Sequence, residues 1–204
     1  MSRLAEEYSR RRNLALTPIS ATIETQLRDY LRGEARVDRI AARAKSIERF
    51  LEKANSQANG VPKYSEPLLQ IQDQIGARVI VFYPSDVTRI SGIIEKYYRP
   101  IELKAHVPDS EWEFGYFGKH YVLIIPQDVI PKDLDQSLLP AFFELQVKTL
   151  FQHAWSEANH DLGYKSGSVK LSSDDKRRLA FASAQAWGAD RMFDDIFRER
   201  TVAD

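Results

Sequence analysis

Ile19, Ile23, Leu27 and Leu31 recur at four-residue intervals and draw one apolar stripe along a helix over 19–32, with Gly33 placed to cap its end. A polar helix is expected ahead of it over 3–15, with Pro18 interrupting the two. Val37 to Ala44 alternates weakly, as a short strand does. Ser46 to Lys53 has helical spacing with Ser46 as N-cap. Asn55, Asn59, Gly60 and Pro62 mark a loop over 54–63.

From there strands and helices alternate. Residues 77–83 form an apolar, β-branched run that reads as a buried strand, and Pro84 opens a helix to about Tyr98. Ile101 to Val107, Tyr121 to Ile125 and Phe142 to Val147 are further strands. Helices at about 149–163 and 173–200 close the chain. Leu179, Ala182, Ala186 and Phe193 share one broad face of the last helix, either packing face or oligomer interface. Strands in the middle with helices at both ends predict an α+β fold around one mixed sheet of four to five strands.

Composition narrows the function. The 204 residues are 43% hydrophobic and 11% aromatic, as in a globular protein, and the 29 basic side chains match the 29 acidic ones. Bulk charge therefore does not hold the chain on nucleic acid or membrane. The absence of cysteine excludes disulfides, thiolate metal sites and cysteine nucleophiles. No apolar run is long enough to cross a bilayer. The charged N-terminal stretch lacks the apolar centre of a secretory leader, so a cytoplasmic location is expected.

Polar residues in or beside apolar strands mark candidate chemistry, because burying them costs free energy unless they are partnered or used. Asp73, Gly76 and Arg78 sit at the entry to the most hydrophobic strand; the plainest account is a surface turn followed by an Asp–Arg ion pair. Period two puts Glu144, Gln146 and Lys148 on one face of their strand. That face is either the solvent side of an edge strand or the floor of a cleft, and the segment alone favours solvent. Asp73 and Glu144, brought together from different strands, would suit Mg²⁺. His153, Glu157 and His160 share a helix face, but a zinc site lacks a third ligand at suitable spacing. Arg39, Arg43, Lys45, Arg49 and Lys53 are dense enough to hold a polyphosphate, unless Glu48 and Glu52 simply neutralise them on a solvated helix.

In order, these segments resemble the synthetase domain of the RelA/SpoT family of alarmone synthetases. The basic motif is matched by Arg43, Lys45, Ser46 and Lys53, and the Asp-x-x-Gly-x-Arg motif by Asp73, Gly76 and Arg78. The Gly-Tyr…His element is Gly115-Tyr116…His120. The Glu-x-Gln-x-Arg-Thr strand is Glu144-Leu-Gln146-Val-Lys148-Thr149, with Lys148 in place of the usual Arg. The following stretch is His153, Trp155, Glu157, His160 and Tyr164-Lys165. Phe117 stands where the family has an Arg, and the loop before it carries Asp109, Glu111 and Glu113 with only Lys119 as a nearby cation.

The resemblance implies a nucleotidyltransferase-like core over 36–166, an N-terminal helical extension over 1–35, and a C-terminal helix over 167–204 packing on the core or forming an oligomer interface. It implies transfer of the β,γ-pyrophosphate of ATP to the ribose 3′-hydroxyl of GDP or GTP. It assigns Asp73 and Glu144 to Mg²⁺ and catalysis, and Arg43, Lys45, Ser46, Arg49, Lys53 and Arg78 to ATP. Tyr116, Lys119, His120, Gln146, Lys148 and His153 fall to the acceptor. Alternative acceptors are the tRNA 3′ end or an adenine nucleotide, as in toxic relatives with an antitoxin partner. The further alternative is an inactive nucleotide-binding interaction module.

Overall fold

A computed structural model describes residues 2–105, 114–116, 118–164 and 171–202. The first helix does not stop at Pro18. Helix α1 (Arg3–Arg11) runs through a single π turn (Arg12–Leu16) into α2 (Thr17–Tyr30). Proline removes an N–H from the ladder and crowds the carbonyl one turn back. The chain answers by widening the turn, so that the Thr17 N–H bonds the Arg12 carbonyl five residues earlier. Gly33 then takes the positive φ of +89° that turns the chain towards the sheet.

Five strands follow, as expected: β1 (Val37–Ala44), β4 (Ile75–Val81), β5 (Pro100–Ala105), β6 (Lys119–Ile124) and β7 (Phe142–Thr149). The loop after α3 (Ile47–Ala54) differs from expectation, since it contains a small hairpin of β2 (Gln57–Ala58) and β3 (Val61–Pro62). Asn59 and Gly60 form its turn, both at positive φ, a pairing characteristic of two-residue hairpin loops. The short α4 (Pro67–Gln70) leads into β4.

The large sheet has the order β1-β4-β7-β6-β5. Only β4 and β7 run parallel; the other neighbours are antiparallel. Helix α5 (Pro84–Tyr97) leaves β4, and the chain builds β5 and β6 before β7 slots between β4 and β6. The strand carrying Glu144, Gln146 and Lys148 is therefore central, and its polar face is a cleft floor rather than the solvent side of an edge strand.

One face of the sheet holds the core. Ala77 and Val79 of β4, Phe143, Leu145 and Val147 of β7, and Tyr121 and Leu123 of β6 pack with Leu16, Ile19, Ile23 and Leu27 of the first helices and Ile90 and Ile94 of α5. Each fully buried side chain of this size contributes roughly 1.5–3 kcal/mol. The other face is polar and bears the site. Helices α6 (Leu150–Tyr164) and α7 (Ser173–Val202) close one end.

Helix α7 does not bury the face of Leu179, Ala182, Ala186 and Phe193 within the chain, which goes against the packing half of the expectation. Its buried positions are Ser183, Asp190 and Asp194, whereas Phe181, Met192, Phe193 and Ile196 are exposed. Asp194 explains part of this inversion. It accepts hydrogen bonds from the backbone and hydroxyl of Ser85 at the start of α5, and pairs with Arg198 at 2.9 Å. No helix among the described residues is long and apolar enough to cross a membrane.

Candidate active site

Register assembles the site in rows across the open face. Arg43, Gly76 and Glu144 stand side by side on β1, β4 and β7. The next row is Ala41, Arg78, Gln146 and His120. Gly76 occupies the floor between Arg43 and Glu144. A Cβ there would meet nothing within 4 Å among the described residues, so the glycine leaves open floor and serves no close contact with them.

Asp73 lies in the turn just before β4, but its partner is not Arg78. Its Oδ2 sits 2.9 Å from Lys45 Nζ and 3.0 Å from Lys53 Nζ. Its Oδ1 is buried and has no hydrogen-bond partner among the described residues. The lysines reach it because local structure aims them there. The Lys45 N–H bonds the Gln74 carbonyl at 2.8 Å, and the Lys45 carbonyl accepts the Tyr8 hydroxyl at 3.0 Å. Ser46 caps α3 by accepting from the Arg49 N–H, as its sequence position predicts, and one helix later Lys53 returns to the same carboxylate. Tyr8 stacks on Phe50 with ring centroids 3.7 Å apart, tying the first helix to this corner. Arg49, in the first turn of α3, is half-buried.

Glu144 accepts a hydrogen bond from Gln146 Nε2 at 2.6 Å and lies 3.3 Å from His120 Nδ1. Burial pulls its pKa up, but the hydrogen bonds from His120 and Gln146, with the Lys53 charge nearby, outweigh that and hold it at about 2. Lys53, ion-paired with Asp73, also brings its charge near Glu144. Lys148 is 6% exposed and donates to Ser156 Oγ at 3.2 Å. Burial, then the neighbouring Arg78 charge, pushes it down to about 8.

Arg78 pairs instead with Glu157 on α6 at 2.9 Å. Burial raises the Glu157 pKa, but the Arg78 charge overrides it and leaves the group below the ordinary range. His153 stands one turn before Glu157, 3.9 Å away, and is shifted down by burial and by Arg78. Arg43, Lys45, Lys53, Arg78 and Lys148 outnumber Asp73, Glu144 and Glu157, so the cleft has cation to spare for a polyanion.

Two expected residues lie apart from this cluster. Lys119 is in register with core-facing Val147 and so occupies the opposite side of the sheet from His120. Tyr116 lies towards α7, its hydroxyl 2.6 Å from Asp190 Oδ2. The acidic loop residues Asp109, Glu111 and Glu113, with Phe117 and Lys165, lie outside the described residues. Sequence reasoning missed Asp190 and Ser156 as partners. A carboxylate inside the apolar pattern of α7 was the available signal for the first.

A cation-rich polar face on a mixed nucleotidyltransferase-like sheet agrees with the family comparison. Residues 42–169 match the family described as the region found in RelA/SpoT proteins, and the chain belongs to that family. It is 23% identical over 173 residues to GTP pyrophosphokinase YjbM of Bacillus subtilis (strain 168), covering 83% of this chain and 76% of that protein. A GTP pyrophosphokinase family protein from Streptococcus pneumoniae superposes with a TM-score of 0.74 at 22% identity, over 100% of this chain and 97% of the other. Small alarmone synthetase 1 from Bacillus subtilis, bound to its product pppGpp, gives 0.69 at 20% identity, over 98% and 97% of the two chains. These likenesses establish the small alarmone synthetase fold.

Proposed function

We propose that the chain transfers the β,γ-pyrophosphate of ATP to the ribose 3′-hydroxyl of GDP or GTP, the linkage between the α- and β-phosphates breaking and AMP leaving. The observation that carries this reading is the cleft itself. Asp73 and Glu144 lie among lysines and arginines that exceed the carboxylates in charge, and Gly76 keeps the floor between them open. Such a surface suits a reaction in which catalysis is mostly positioning and charge stabilisation.

On this reading Arg43, Lys45, Lys53 and Arg78 clamp the donor, the guanidiniums also offering flat faces to adenine. Ser46 and Arg49 hold the α3 end of that clamp. The bare, buried Oδ1 of Asp73 fits a hard cation, and Asp73 with Glu144 would hold Mg²⁺. Bound there, Mg²⁺ supplies neutralising charge to the ATP phosphates. Glu144, ionised at neutral pH, accepts the hydrogen bond of the acceptor 3′-hydroxyl and takes its proton late, as a weak base does in a loose transfer. Gln146, His120 and Lys148 orient the acceptor's ribose and phosphates, His153 borders them, and Tyr116 stacks on the base.

Incubation with γ-labelled ATP and, separately, GDP, GTP, ATP and bulk tRNA tests the reading. Label on GDP or GTP at the 3′ position is expected. Label on tRNA or an adenine nucleotide alone would reassign the acceptor, and no label on any would refute pyrophosphate transfer.

A further inference from the structure

Tyr116 is held from beneath by a carboxylate that the motifs do not contain. Asp190 of α7 is fully buried, and its Oδ2 accepts both the Tyr116 hydroxyl at 2.6 Å and the Thr149 hydroxyl. Its Oδ1 is also buried and has no hydrogen-bond partner among the described residues. A buried carboxylate with one bare oxygen is an expensive way to pack a helix; an apolar side chain would serve packing better. Burial pulls the Asp190 pKa up, while the two hydroxyl donors oppose the rise. Thr149 ends β7, the strand that carries Glu144 and Lys148. One carboxylate thereby joins α7, the central strand and the segment bearing Tyr116.

Two neighbouring contacts fix the same segment. Phe114 meets Trp187 edge-on with centroids 6.2 Å apart, and Trp187 lies one helical turn from Asp190. Gly118 rests so close to β7 that a Cβ would collide with Lys148 Cγ and the Val147 carbonyl. Phe114, Tyr116 and Gly118 are each held in this way, the first two against α7 and the third against β7.

We propose that Asp190 is a positioning residue for the acceptor, fixing the plane on which the nucleoside base stacks, so that α7 forms part of the acceptor site. The inference rests on the reading of Tyr116 given above. Fixing an aromatic ring in advance removes an ordering cost from base binding. The effect therefore belongs in the acceptor KM, not in the ATP KM or kcat.

Tyr116→Phe keeps the ring and removes the anchor. It should raise the acceptor KM about tenfold, the scale of one lost hydrogen bond to a charged group, with the ATP KM and kcat unmoved. Asp190→Ala should do the same, Asp190→Asn should restore most of the loss, and the Tyr116→Phe/Asp190→Ala pair should be no worse than either alone. Amide hydrogen exchange over 114–118 should quicken in Tyr116→Phe and Asp190→Ala. If Asp190→Ala fails to fold, Tyr116→Phe with Thr149→Val decides the matter. An acceptor KM indifferent to Tyr116→Phe, or independent effects that multiply in the double variant, would overturn the proposal. An unaltered protein that labels no acceptor would instead refute the functional reading, and exchange over 114–118 would still report on the anchor.

Discussion

Glu144→Gln keeps the side chain's shape and removes its charge, and its consequence is readable in stability as well as in turnover. The folded chain holds this carboxyl at about 2 against an ordinary 4.5, because the bonds from His120 and Gln146 outweigh the cost of burial. A group depressed on folding stabilises the protein fully above its unfolded pKa and loses that contribution as pH falls towards the folded value. The gap amounts to about 3 kcal/mol at neutral pH, of which about 2 kcal/mol is gone by about pH 3. With 23% of the side chain exposed, these are upper figures. Urea unfolding of both proteins at about pH 6 and about pH 3 measures the difference. The stability advantage of Glu144 over Gln should shrink by roughly 2 kcal/mol between the two, while product formation by the variant falls by orders of magnitude at either pH. A stability gap independent of pH would show that the carboxyl is not held in its charged form by these neighbours.

Asp73→Asn should lower product formation by orders of magnitude and reduce the dependence on Mg²⁺ concentration, with circular dichroism unchanged; full activity at limiting Mg²⁺ would remove Asp73 from the metal site. Lys45→Met should raise the KM for ATP by at least tenfold and leave acceptor preference alone, whereas a rise confined to the acceptor KM would exchange the two subsites. Gly76→Val should leave the melting temperature within a few degrees, since its side chain enters open space, yet block the cleft; unimpaired ATP binding by titration calorimetry would contradict the placement of the floor. Gly118→Ala should cost about 1–3 kcal/mol in urea unfolding, because the added carbon meets β7 backbone, and an unchanged midpoint would disprove that close approach.

The chain's local order was legible from the residues alone. Periodicity placed all five main strands and the long helices, and Ser46 caps α3 as its position required. These features depend on neighbours a few residues apart, so sequence spacing records them directly. The ordered motifs also name Asp73, Lys45 and Lys53, which the fold brings into one ion-paired cluster.

Partnership was decided by tertiary structure. Asp73 and Arg78 are near in sequence and looked like a pair, yet the tertiary fold gives Asp73 to Lys45, just after β1, and Lys53 of α3, and gives Arg78 to Glu157. The polar face of β7 read as solvent-exposed because the segment cannot reveal that β4 and β6 flank it. Pro18 looked like a break because the rule describes an α turn, and one π turn evades it. One of the two expectations for helix α7 set its apolar face inward, but Asp190 and Asp194 turn inward because Tyr116, Thr149 and Ser85 meet them there with hydroxyls to bond. Periodicity records which residues share a face; which face is buried depends on the groups that distant parts of the chain bring to meet it.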